Sequence, residues 1–257
     1  MRLVRIIPSL LIDDSKLIKG KNFTNHRYLG DIYNAIKLFT EKKAHEIIIL
    51  DKSEVKDNLF YKTDFFKKIS LECFIPITIG GGIESLDDAS YIINSGVEKI
   101  CLSADAILKK NLIYSISQKF GNQSIVISID VKRINDEYLI FTKNGKNLFK
   151  KNLKNLLSEL ENEGVGEIIL TSIDREGSKK GYDIDLYNEF STILKIPIIA
   201  NGGAGKDSHF NELFSKTKIS AASAGTKFVF YGNRDAVLIN YPNIDFLNNI
   251  QKMYEEY

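Results

Sequence analysis

Short apolar runs rich in isoleucine and valine recur along the chain, and within each the hydrophobic positions are nearly continuous where a half-exposed strand would alternate. Such runs suit strands buried on both faces, as in a parallel sheet covered by helices. Eight are found: Arg5 to Leu11, Glu46 to Asp51, Ile75 to Gly80, Lys99 to Ser103, Ile125 to Asp130, Glu167 to Thr171, Pro197 to Ala200 and Ser220 to Gly225. Between them apolar residues fall at helical spacing, as in Ile32, Ala35, Ile36 and Phe39, or Phe149, Leu153, Leu156, Leu157 and Leu160. Another helix is predicted to open on a capping box of Ser85 and Asp88 and to stop at Gly96 in a left-handed turn. Eight strand-helix units predict an α/β fold, a single (β/α)8 TIM barrel; an open doubly wound sheet is the alternative.

The second half restates the first. Glu46 to Leu50 matches Glu167 to Leu170, and Gly81 matches Gly202, both 121 positions on. Lys99 to Ala104 likewise resembles Ile219 to Ala224. Repetition at this offset predicts two half-barrels, about 1–120 and 121–240, in one domain spanning 1–257, with a closing helix over 243–257.

Charge narrows the partners. With 35 Lys+Arg against 33 Asp+Glu, the formal charge of +2 gives no field suited to nucleic acid or an anionic membrane. Cys73 and Cys101 each sit in an apolar run without a second cysteine at metal or redox spacing, and both read as reduced core residues. No apolar run approaches bilayer length and no leader-like segment opens the chain, so a soluble, cytoplasmic protein is expected.

In such barrels chemistry sits where the strands end, and strand starts form the opposite floor. At strand ends stand Asp51, Asp130, Thr171 and Asn201, with Asp174 and Glu176 just beyond; at strand starts stand Arg5, Glu46, Lys99 and Glu167. Glycines cluster after the third, seventh and eighth runs, at Gly80-Gly81-Gly82, Gly202-Gly203 and Gly225. They permit close backbone approach to an anion, or serve as turns alone. Lys19 in the first loop is either a substrate contact or solvated. His26, His45 and His209 lie at no metal or triad spacing and read as surface or capping residues, so neither metal nor cofactor is expected.

Over nearly its whole length the chain resembles the cyclase subunit of imidazole glycerol phosphate synthase. The resemblance runs through Arg5-Ile6-Ile7, Lys19-Gly20, Asn22-Phe23, Thr78 to Ile83, Ile129 to Arg133, Glu167 to Arg175 and Asn201 to Gly205. It implies a bisphosphate substrate held at two phosphate sites, which on this chain involve Gly81, Gly82 and Ser103 on one side and Gly202, Gly203, Ala224 and Gly225 on the other. Lys19, Asp51, Thr171, Asp174, Gly177 and Asn201 are further candidate substrate contacts. Also implied are an acid–base pair of aspartates on strands one and five, and a floor gate of four charges admitting ammonia from a docked glutaminase subunit. The gate maps onto Arg5, Glu46, Lys99 and Glu167; these four could instead be salt bridges closing the floor.

One departure matters most. Strand five keeps Asp130, but Leu11 stands where the aspartate of strand one belongs. Leucine moves no proton, and one carboxylate cannot be poised as acid and base as a pair can. Asp13 and Asp14 lie beyond the strand end and read as a solvated turn. The first phosphate loop reads Ser103-Ala104 where the family commonly has Asn-Thr, and the tail from Phe228 to Pro242 resembles divergent paralogues associated with bacterial surface-polysaccharide loci. Three readings follow. The chain is an ammonia-supplying barrel of a surface-sugar amidation complex, with a glutaminase below and an acceptor enzyme above; or an authentic cyclase and lyase of histidine biosynthesis; or a related sugar-phosphate isomerase.

Overall fold

The eight apolar runs close into a cycle. The computed structural model describes residues 3–14, 16–21, 23–52, 65–109, 111–232 and 234–255. Its barrel strands, one to eight in chain order, are Arg5–Asp13, Ile47–Asp51, Ile77–Gly80, Lys99–Ser103, Ile125–Ile134, Glu167–Ser172, Ile198–Asn201 and Ala221–Ala224. Each pairs in parallel with its neighbour, and strand eight returns to strand one with Arg5 opposite Ala221 and Pro8 opposite Ala224. Strand six also pairs with strand five, Glu167 opposite Val126 and Thr171 opposite Asp130, so no parallel edge is left open. This closure excludes the open doubly wound sheet. It yields the (β/α)8 barrel that the continuous hydrophobic runs predict.

Helices occupy the outer layer as their periodicity requires. Ile32–Glu41 buries Ile32, Ala35, Ile36 and Phe39, and Asp31 caps it by accepting from the Asn34 N–H. Leu86–Asn94 opens on the predicted reciprocal capping box of Ser85 and Asp88, and Gly96 takes φ +97° after its end. One reading needs correction. Phe149 is not part of the helix that follows, which runs Leu153–Asn162 behind the cap of Asn152; Phe149 ends a short strand, Asn147–Phe149. A closing helix covers Ile244–Glu255. Among the described residues no helix is long and apolar enough to cross a membrane.

Two features of the rim were absent from the hydrophobic pattern. Strand one runs beyond the barrel into an antiparallel hairpin of Lys16–Lys21 and Thr24–Asp31, with Leu11 opposite Ile18. Strand five does the same with Glu137–Thr142 and Asn147–Phe149, with Asp130 opposite Phe141. Thr24–Asp31 is mostly polar, and Glu137–Thr142 and Asn147–Phe149, though apolar in sequence, are largely half-exposed, so none carries the long buried run or a clean alternation. A hairpin signal does exist in Asn135-Asp136, which turns with both φ positive.

Inside the barrel, side chains stack in layers. Above the floor, Ile7, Ile48, Cys101, Val126, Ile169, Ile199 and Ala221 form an apolar layer, separate from the larger core between strands and helices. Burial holds the Cys101 thiol up at about 12, so it behaves as a small hydrophobe. Cys73 is only half-buried and packs at the margin of the outer core, rather than within it as its apolar run suggests.

Candidate active site

Because side chains alternate along a strand, the inward set on strand one is Arg5, Ile7, Ser9 and Leu11, running from floor to mouth. Arg5 Nη1 donates to Glu46 Oε2 at 2.8 Å and Nη2 to Glu167 Oε1 at 2.7 Å. Lys99 Nζ lies 3.2 Å from Glu46 Oε1 and 3.0 Å from Glu167 Oε2. The four predicted floor residues thus form a closed ring of alternating charge. Thr78 Oγ1 donates to Glu46 Oε1 at 2.8 Å, and Glu46 is only 2 % exposed. Burial works against the charge on Arg5, but Glu167 and Glu46 more than offset it and leave its pKa above the ordinary value.

Above the apolar layer the barrel opens into a pocket at the strand ends. Of the predicted mouth residues, Lys19, Asp51, Gly81, Gly82, Ser103, Asp130, Thr171 and Asn201 line it together. Leu11 lines it as well, on the strand diametrically opposite Asp130 in the eight-membered cycle. Asp13 and Asp14 are exposed, and Asp14 turns the chain with φ +49°, so neither reaches in to replace the missing carboxylate.

Asp130 is positioned by a lateral chain of hydrogen bonds. Ser223 Oγ donates to Asn201 Oδ1 at 2.9 Å, and Asn201 Nδ2 donates to Thr171 Oγ1 at 3.1 Å. The Thr171 hydroxyl in turn bonds the Asp130 carboxyl. The chain crosses strands eight, seven, six and five. Burial pushes the Asp130 carboxyl up to about 7, against the Thr171 hydrogen bond, with a smaller push from the Glu176 carboxylate. A carboxyl so placed holds a proton near neutrality and can give or take one.

Other predicted residues stand back from the pocket wall. Asp174 is exposed and accepts from the Arg133 N–H at 2.9 Å, which ties the loop after strand six to the hairpin after strand five. Gly202 and Gly203 are buried behind the wall rather than lining it. At Gly203, φ is +107° and an added Cβ would sit 2.1 Å from the Gly181 carbonyl oxygen, so packing alone demands glycine there. Ala224 is buried at the end of strand eight, and Gly225 lies directly beneath the Lys19 ammonium, within about 3.1 Å of where a Cβ would be. Gly177, at φ +67°, lets the loop after strand six close on Lys21 and Gly20 of the first hairpin.

That closure brings together residues the sequence pattern left apart. Lys19 and Glu176 form an ion pair, both almost fully buried, and both line the pocket. His26 does not behave as a surface residue: it lines the pocket, and its Nδ1 lies 3.1 Å from Lys52 Nζ. Burial lowers the His26 pKa, and Lys52 and Lys19 lower it further, so the neutral ring accepts from Lys52. The other histidines follow their reading, His45 accepting from the Ile6 N–H and His209 from the Gly205 N–H. Only the hairpin register could have placed His26 at the mouth. Asn22, part of the quoted resemblance, lies outside the described residues.

The comparisons agree with this architecture. A profile of the family described as "Histidine biosynthesis protein" matches residues 5–234. A protein of Pseudomonas aeruginosa, provisionally named imidazole glycerol phosphate synthase subunit hisF2, is 40 % identical over 245 residues, covering 95 % of this chain and 98 % of its own. The subunits named HisF from Hydrogenobaculum sp. and Sulfolobus acidocaldarius are 39 % and 40 % identical, covering 88 % and 86 % of this chain and 90 % and 88 % of their own. A closed barrel with the family profile across nearly all of it, and such identity over nearly full length, leads to one conclusion: the chain belongs to the histidine biosynthesis protein family, among the homologues of imidazole glycerol phosphate synthase subunit HisF.

Proposed function

We propose that this chain is the ammonia-receiving synthase subunit of a glutamine amidotransferase complex, with a glutaminase docked on the floor and a phosphorylated ligand bound at the mouth. The observation that carries this reading is the ring of Arg5, Glu46, Lys99 and Glu167, in which two cations and two carboxylates close the barrel beneath an apolar layer and the pocket. Neutral ammonia passes an apolar layer more readily than ammonium does, and a ring with no net charge can open by moving one side chain. Exposed Leu3 and Phe74, each just ahead of a barrel strand at the floor, offer apolar surface for a partner.

Within that function the chain is a divergent paralogue supplying ammonia for amidine formation on a bacterial surface sugar, with an acceptor enzyme at the mouth. Leu11 supports this, because it removes one of the two carboxylates that ring closure uses. The test is ring formation by the purified barrel given ammonium salt and the bisphosphorylated imidazole precursor. Negligible product is expected; turnover within roughly tenfold of a competent relative defeats the paralogue reading. A second reading, the authentic cyclase and lyase, draws support from the half-buried, pocket-lining carboxyl of Asp130, which is pushed up to about 7. On that reading Asp130→Asn abolishes synthesis.

A further inference from the structure

The pocket holds a buried acceptor whose partner is missing. Glu176 is 9 % exposed, and its Oε1 is taken by the Lys19 ammonium while its Oε2 is buried without a hydrogen-bond partner. Leaving a charged buried acceptor half-satisfied is costly, so the arrangement makes physical sense when a ligand supplies the donor. The loops that hold it are fixed: Gly177, one residue on, packs against Lys21 and Gly20, which fastens the Glu176 loop to the Lys19 hairpin. Below stands Asp130, with Thr171 on one side and the Cys101 thiol from strand four near it. Around Glu176 the charged and titratable neighbours are Lys19, then His26 with Lys52.

We infer that Glu176 is the ligand-facing carboxylate of this pocket: it accepts an N–H or O–H of the phosphorylated ligand and, with Asp130, restores the two-carboxyl arrangement that Leu11 removes from strand one. The two carboxyls stand in different environments. Asp130 stands at the strand end beside Thr171, where burial pushes its carboxyl up to about 7, whereas Glu176 stands on the loop after strand six in an ion pair with Lys19. Two carboxyls set apart in this way are suited to acid and base roles respectively. The second carboxyl thus reaches the pocket from the loop after strand six, not from strand one. The ligand class is a phosphorylated molecule with an amine, amidine or hydroxyl donor between its charged ends. This inference rests on the proposed binding of such a ligand at the mouth.

The test is carboxyl-resolved NMR on the full chain, with the bisphosphorylated imidazole precursor as probe and Glu176→Gln and Glu176→Asp as variants. Without probe, Glu176→Gln is expected to lower the Asp130 titration midpoint by about one pH unit, whereas Glu176→Asp, which keeps the charge, returns it toward wild type. Saturating probe is expected to move the Glu176 carboxyl resonance together with the amides of Gly81 and Gly82, and Glu176→Gln to weaken binding about tenfold. An unchanged Asp130 midpoint in Glu176→Gln overturns the pairing. Probe-induced amide shifts with an unmoved Glu176 carboxyl overturn the ligand-facing role. Absence of any amide shift defeats the phosphorylated-ligand reading instead and removes the ligand-facing role with it, while the midpoint comparison still decides the pairing.

Discussion

Glu46 and Glu167 stand at the same place in the two halves of the repeat and share the same two cations, Arg5 and Lys99, on the barrel floor. The carboxylates obey the internal symmetry, but the cations do not: the positions matching Arg5 and Lys99 in the second half are Ser124 and Ile219. Each carboxylate therefore depends on cations supplied by the first half, and removing different members of the ring has different consequences.

Glu46→Ala is expected to destabilise the fold by about 3 kcal/mol, because it leaves two partly buried cations sharing one carboxylate and strands the Thr78 hydroxyl. Lys99→Ala leaves Arg5 bridging both carboxylates and is expected to cost about 1 kcal/mol or less. Urea unfolding of both variants checks this order. With the glutaminase partner present, Lys99→Ala is expected to change the ratio of ammonia transferred to glutamine hydrolysed; an unchanged ratio counts against the gate.

Asp130 has a pH signature of its own. Its folded-state carboxyl titrates near 7, above the ordinary aspartate value, so between about pH 4 and about pH 7 the unfolded chain loses this proton while the folded one keeps it. Rising pH through that window therefore lowers stability. Asp130→Asn removes the effect and is expected to stabilise the protein at about pH 8 by about 2–4 kcal/mol, with little change at about pH 4. Equal wild-type and variant unfolding midpoints at both pH values would falsify this account of the carboxyl.

How much of this was legible in the sequence depended on burial. The eight barrel strands are buried on both faces, so their continuous apolar runs mark them to within a residue or two at most boundaries. The floor ring was readable because Arg5, Glu46, Lys99 and Glu167 each stand at the start of such a run. Glu176 was visible at a strand end, but its link to Lys19 depends on the way Gly177 folds one loop onto a hairpin, which no local pattern encodes. His26 and Lys52 were missed for the same reason: their contact joins a hairpin strand to the residue that follows barrel strand two.

Gly203 tests the glycine reading. Its backbone is left-handed, and a Cβ would collide with the Gly181 carbonyl, while the Gly181 N–H donates to the Gly203 carbonyl at 2.9 Å and holds the two backbones together. Gly203→Ala is expected to cost about 2 kcal/mol or more in thermal or urea unfolding. A fully stable variant would show that this loop yields easily.

Leu11→Asp asks whether the pocket has lost chemistry that a single side chain can return. With ammonium salt and the bisphosphorylated imidazole precursor, the variant is expected to gain on the order of 10² in ring formation over wild type. Product analysis checks it. No gain would place the obstacle elsewhere, such as Ser103-Ala104 in the first phosphate loop.

The paired hairpins have a geometric consequence. Strands one and five are half a turn apart around the barrel, and each carries a wall of antiparallel backbone above the rim. An opening flanked in this way is a trough, not a round cup. On the proposed function, an elongated ligand is expected to lie along it, its ends directed toward the loops after strands three and four on one flank and seven and eight on the other. Its middle then passes between Leu11 and Asp130.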